Sequence, residues 1–165
     1  MSERVELIVD GHVERPLSLS FDDLRTIDAN HQIADVSRVD AKRAGEAVWL
    51  SGLLELAGAR DDARWITLHA AKDDFHASIP LDEVRDRALV IYSLGGKPLP
   101  NQSGGPFRFY IRDFATCHSA DVTECANVKF VDRIELSSQK GFDNRPTEEE
   151  EHEALHRRQE NEKLA

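Results

Sequence analysis

Cys117 and His118, with Cys125 eight residues further on and Asp121 and Glu124 between, form a dense group of metal-ligating and nucleophilic side chains. Thiolate and imidazole are the usual ligands of zinc. The spacing is not a C-x-x-C pair, however, and a fourth ligand has to come from elsewhere. The same two cysteines, the only ones in the chain, can instead close a disulfide. One of them can also act as a reactive or metal-bound thiolate. The plain alternative is two small, half-buried loop residues. All four readings stay open, although a reducing compartment disfavours the disulfide. His69 and His76 fall on neighbouring expected strands, where they can form a cross-strand metal pair or stay solvated. Arg38, Lys42 and Arg43 cluster cationic charge near one turn, suited to an anionic ligand or simply to water. No G-x-S-x-G, P-loop, H-E-x-x-H or G-x-G-x-x-G pattern occurs, and no C-x-x-C-H haem motif.

The elements that position these residues follow from periodicity and turn chemistry. Val5–Val9 alternates apolar and polar residues, Asp10-Gly11 marks a turn, and Val13–Leu19 returns as a second strand. Ser20 is an N-cap, with Asp22 and Asp23 in the first turn and Leu24 and Ile27 on the apolar face. His31–Val39 is expected as a strand and Ala41–Glu46 as a charged loop. Ala47–Leu50 is a short apolar run, and Ser51 opens a helix that ends at Gly58. Trp65–Ala70 and Phe75–Ile79 read as paired strands, Pro80–Arg87 as a short helix, and Leu89 opens a further strand. A Gly- and Pro-rich loop then leads to Phe107–Ile111, and Lys129–Leu136 is the last strand. Short strands with a few short helices predict an α+β domain of mixed, mostly antiparallel sheets.

Composition sets the outer bounds. The chain has 165 residues, 40% hydrophobic and 32% charged, with net charge −10. That length suits one domain burying roughly 68–70% of its unfolded surface. Acidic charge repels phosphate backbones, so no nucleic-acid partner is expected. No apolar run approaches the ~20 residues of a membrane helix, and the start carries no apolar signal region. The protein is therefore expected to be soluble and cytoplasmic. Residues 141–165 hold eight acids and four bases; they read as a charged tail, disordered or a solvated helix. Residues 1–140 read as the globular domain.

Four passages resemble the molybdopterin-binding domain of sulfite oxidase-type molybdopterin-dependent oxidoreductases. Leu19–Leu24 is similar to the family's opening helix, and Gly45–Leu54 to its G-x-x-W-x-G-x-x-L helix entry with Trp49 shifted. Gly95–Pro100 followed by Gly104–Arg108 is similar to its G-x-P-L-P…G-x-P-x-R segment. Asn127–Leu136 is similar to its V-K-W-x-x-R-I-E strand. Together they span about residues 17 to 137. The resemblance implies that family's fold and a pterin dithiolene cofactor held by backbone amides and cationic side chains. It also implies one protein thiolate on the metal, since soft ligands stabilise such metals while leaving positions open. It points to Ser37, Arg38, Arg43, Arg108, Asn127 and Lys129 as cofactor-binding residues. The family's ligand cysteine lies between the opening helix and the G-x-x-W motif. Here His31–Asp40 contains no cysteine. Ser37 is the nearest equivalent by position, and a hydroxyl is a poor substitute for a thiolate. The expectation is a molybdopterin-binding-type domain with weakened or lost sulfite-oxidase-like catalysis, in which the missing thiolate puts molybdenum in doubt. The alternatives are a cofactor-free binding or assembly module that keeps only the fold, and an enzyme using Cys117 or Cys125 as thiolate. Surviving catalysis implies a separate electron-transfer partner.

Overall fold

A computed structural model describes residues 5–112 and 127–145. The Cys117–Cys125 loop and the acidic run after Thr147 lie outside the described residues. In β1 (Leu7–Gly11), Leu7 and Val9 are fully buried. It pairs antiparallel with β2 (Leu17–Leu19). Ser20 then caps α1 (Phe21–Arg25) in a capping box: its hydroxyl takes the Asp23 amide and the Asp23 carboxylate takes the Ser20 amide. β3 (Gln32–Ile33) and β4 (Glu46–Trp49) follow, and β4 runs directly into α2 (Leu50–Ala57). Gly58, at φ +69°, terminates α2 in the left-handed conformation that glycine tolerates.

The hairpin of β5 (Trp65–Ala70) and β6 (Phe75–Pro80) turns at Asp74. A four-residue helix, α3 (Leu81–Val84), leads to the long strand β7 (Ala88–Leu94). β8 (Lys97–Pro98), β9 (Arg108–Ile111) and β10 (Arg133–Ser137) complete the elements.

Two five-stranded sheets result. The first has the order β2-β1-β10-β5-β6, antiparallel except for β1 beside β10. In the second, β4 joins β3 to one edge of β7, while β9 and then β8 line the other edge. The expected fold class holds. β7 reads as an unbroken apolar run because both its faces are buried. Ala88, Val90 and Tyr92 join the main core with Leu53, Ile66, Phe109 and Ile134. Leu89 and Ile91 join a smaller cluster with Val36, Ala47, Leu99 and Tyr110 on the opposite face.

The structure corrects three expected elements. Asp10 and Gly11 remain in β1, because β10 pairs with both, and Val13 makes only an isolated bridge to Ala59. The returning strand is therefore just Leu17–Leu19. Of His31–Val39 only Gln32 and Ile33 are in a strand. Asp35 captures the Ser37 amide and caps a 3-10 turn over Val36–Arg38, a local bond that competes with strand pairing. The last strand starts at Arg133; Lys129 and Phe130 form a turn, with Phe130 at φ +59°. Packed chain continues past residue 140. The Gly141 amide donates to Ser78 Oγ, and Asp143 and Arg145 form an ion pair with side chains 9% and 8% exposed. No helix among the described residues is long and apolar enough to cross a membrane.

Candidate cofactor site

Strand alternation in β9 puts Phe109 and Ile111 in the main core and Tyr110 in the second cluster. Arg108 and, one residue past the strand, Arg112 share the Tyr110 face. Three cationic side chains meet aromatic rings there or nearby. The Arg43 guanidinium lies 5.3 Å from the Tyr110 ring centre and Arg112 lies 5.6 Å from the Trp49 ring. Lys72 Nζ stands 4.5 Å over Phe130 and donates to Asn101 Oδ1. The Tyr110 hydroxyl donates to Asp40. Gly104, at φ +94°, sits between Arg108 and Lys129. A Cβ there would lie 3.0 Å from Arg108 Cδ and 3.2 Å from Lys129 Cγ. A glycine at this position lets the two long cationic side chains converge.

The charges on this face are unbalanced. Burial pushes Arg108 below its ordinary value, and the like charge of Arg43 pushes the same way. Arg43 Nε and Arg108 Nε are both buried without a hydrogen-bond partner. Each such orphan costs about 1–3 kcal/mol. Burial raises the Tyr110 phenol, and the Asp40 carboxylate beside it raises it further. Asp40 is lowered, first by the Tyr110 hydrogen bond and then by the Lys42 amide, with Arg43 and Lys42 adding to it against burial. The tyrosine thus keeps its proton and Asp40 stays ionised. The face thus holds two like charges, each with a buried Nε–H that has no acceptor.

A family model described as an oxidoreductase molybdopterin binding domain matches residues 1–144. The chain belongs to that molybdopterin-binding oxidoreductase family. An uncharacterized oxidoreductase of Bacillus subtilis (strain 168), YuiH, is 29% identical over 107 residues, 62% of this chain. The chain spans 54% of that relative. The crystal structure of the sulfane dehydrogenase SoxCD from Paracoccus pantotrophus shares the fold, with TM-score 0.59 and 20% identity. It covers 85% of this chain, which in turn covers 40% of that one.

Within this molybdopterin-binding domain the expected site residues divide. Arg43, Arg108 and Lys129 come together around Tyr110 and Gly104. Asn127 instead ties backbone together. Its Oδ1 accepts the Ile111 amide at 2.7 Å, beside the Phe109 amide to Val128 carbonyl bond. Ser37 is exposed, and its hydroxyl donates to Asp35 Oδ1 at 2.5 Å. That bond, then the Ser37 amide, lowers the Asp35 carboxyl against a small burial cost, with Arg38 adding charge. Arg38 and Lys42 are exposed. Sequence reasoning missed Tyr110, Asp40, Trp49 and Arg112. The Arg-x-Tyr-x-Arg alternation from 108 to 112 was the available signal. Among the described residues, no three His, Cys, Asp or Glu side chains converge as a metal group.

A cavity of about 710 Å³ lies beside α1 and α2, lined by Arg15, Leu19, Asp28, His31, Glu55 and Leu56 among others. It shares no lining residue with the arginine face. Its polar groups serve the fold: Asp28 caps the Asn30 amide, and Arg15 donates to the Leu56 and Glu55 carbonyls.

Proposed function

We propose that the arginine face of Arg43 and Arg108, extended by Lys129, receives the anionic part of a molybdopterin cofactor. The supporting observation is the pair of buried guanidinium Nε atoms without partners, held beside like charge. An oxyanion with several acceptors satisfies both atoms and neutralises their repulsion. Tyr110 and Trp49 act as plates that keep Arg43 and Arg112 in place. Asp40 orients Tyr110 and offsets part of the positive charge.

The fit is good for the organic cofactor and poor for the family's metal ligation. A bound dithiolene would supply a metal centre for oxygen or electron transfer. This chain has no cysteine from His31 to Asp40, and the Ser37 hydroxyl is committed to Asp35. We therefore read sulfite-oxidase-like catalysis as weakened or lost, with pterin binding retained. In this reading the protein works in the cytoplasm, and any residual redox activity passes electrons to a separate partner. The second reading, a module that keeps only the fold, is favoured by the same missing thiolate.

Protein purified from a molybdopterin-competent host separates the two. The cofactor reading expects stoichiometric oxidised-pterin fluorescence that falls when Arg43 and Arg108 are replaced by alanine. A chain carrying neither pterin nor metal would establish the fold-only reading. Stoichiometric molybdenum would instead turn attention to Ser37, Cys117 and Cys125.

A further inference from the structure

His69 and His76 lie outside the arginine face, directly opposite one another across β5 and β6. Their side chains are 13% and 17% exposed. The two Nδ1 atoms face each other at 2.7 Å. Each outer nitrogen meets a carboxylate: His69 Nε2 is 3.0 Å from Glu135 Oε1, and His76 Nε2 is 3.2 Å from Asp74 Oδ1. Arg133 Nη2 donates to the other oxygen of Glu135 at 3.4 Å. Phe142 packs edge-on against His76 at 4.9 Å, and Asn144 binds both the amide and the carbonyl of His76.

This arrangement constrains where the protons lie. An ionised carboxylate only accepts, so these contacts favour the tautomer in which each Nε2 donates. A neutral imidazole has a single N–H, so in that tautomer both Nδ1 lone pairs point at the same spot. With both Nδ1 atoms unprotonated the two lone pairs repel at that separation, so either one ring carries an Nδ1 proton and donates it to the other, or a metal cation joins them. We infer that His69 and His76 form a two-imidazole site for a borderline divalent cation, Zn²⁺ or Cu²⁺. A carboxylate behind each imidazole is the arrangement that fixes a metal-binding tautomer and raises ligand basicity. Metal–nitrogen bonds of about 2.0–2.1 Å in tetrahedral geometry need the nitrogens roughly 3.3 Å apart, a small rotation of each ring. Water completes the coordination. Paired imidazoles favour Zn²⁺ and Cu²⁺ over Mg²⁺ and Ca²⁺. The ion would bridge β5 to β6, the strand on which residues 141–145 dock.

The test is calorimetric titration of tag-free protein with Zn²⁺, with Cys117→Ser/Cys125→Ser as the background that removes thiolate binding. One saturable equivalent is expected, with protons released on binding and a higher melting temperature. His69→Gln and His76→Gln should each abolish it. Glu135→Gln, which leaves both imidazoles, should weaken it about 10–100-fold. Arg43→Ala/Arg108→Ala should leave it unchanged, which separates this site from the cofactor reading. Circular dichroism of each variant confirms folding. The inference is overturned if the cysteine variant binds no Zn²⁺, or if binding survives His69→Gln; the shared cation is then a proton.

Discussion

If Arg43 and Arg108 bind an anion as proposed, the cofactor-free fold carries a cost at this face. Each buried Nε lacks an acceptor and each guanidinium repels the other. Replacing both by alanine should therefore leave apo stability unchanged or raise it. Charge-assisted hydrogen bonds contribute about 1.5–3 kcal/mol each, so pterin affinity should fall about 10–100-fold per arginine. Thermal melts of the apo protein alongside pterin fluorescence of the loaded protein check both halves. Gly104→Ala tests the same face through the backbone. The residue sits at φ +94°, and a new methyl would press on Arg108 and Lys129. A cost of about 1 kcal/mol is expected from the left-handed conformation, together with loss of pterin. A denaturant midpoint and a fluorescence reading measure these. The cations of this face were legible in the sequence because charge is a property of single residues. Tyr110 and Asp40 were not, because their pairing spans 70 positions and depends on the register of β7 and β9. The role of Ser37 was readable in principle: Asp35 and Ser37 are two apart, the spacing of a local side-chain-to-backbone bond.

Among the elements, the segment from Gly141 to Arg145 has the largest unexpected role. β6 is an edge strand, and this segment covers it. The Ser78 amide donates to Asp143, Arg145 donates to the Ser78 carbonyl, and Asn144 brackets His76. Burial pushes the Asp143 carboxyl up, but hydrogen bonds from the Arg145 side chain and the Ser78 and Arg145 amides outweigh it and hold the group below its ordinary value. A depressed folded value means the stabilisation is complete above the unfolded value of about 3.9 and disappears as pH falls through the folded one. Acid should therefore release this segment at pH below about 4, seen as faster amide exchange at His76 and Ser78. Asp143→Asn should remove that acid step. Asp143→Ala, which removes the carboxylate that holds both Arg145 and the Ser78 amide, should lower the denaturant midpoint more than Asp143→Asn does. Local elements such as the Ser20 cap, α2 and the β5–β6 hairpin were legible because their signals lie within a few residues. The segment was not, because its composition is polar and its partners are more than 60 positions away.

At the scale of the molecule, the two ends of the described chain close the first sheet on each other. β10 lies between β1 and β5, so the first strand gains its inner partner only when the last strand has formed. That parallel pairing leaves no turn signature in the sequence, whereas alternation made each strand visible singly. It also orders the outcome of shortening the chain. A chain ending at Asp132 lacks the central strand with Ile134 and Leu136, both fully buried. Each such side chain contributes about 1.5–3 kcal/mol by burial, and the gap separates β1 from β5, so this chain should not fold. A chain ending at Gln139 keeps β10 but loses the cover on β6. It should fold with reduced stability and self-associate, because an uncovered edge strand presents unpaired backbone groups to a neighbour. A chain ending at Arg145 retains every described contact. Comparing the last two by denaturant melts and light scattering isolates the five docked residues and Lys140. Equal stability and equal monomer content would show that these residues do not protect the edge.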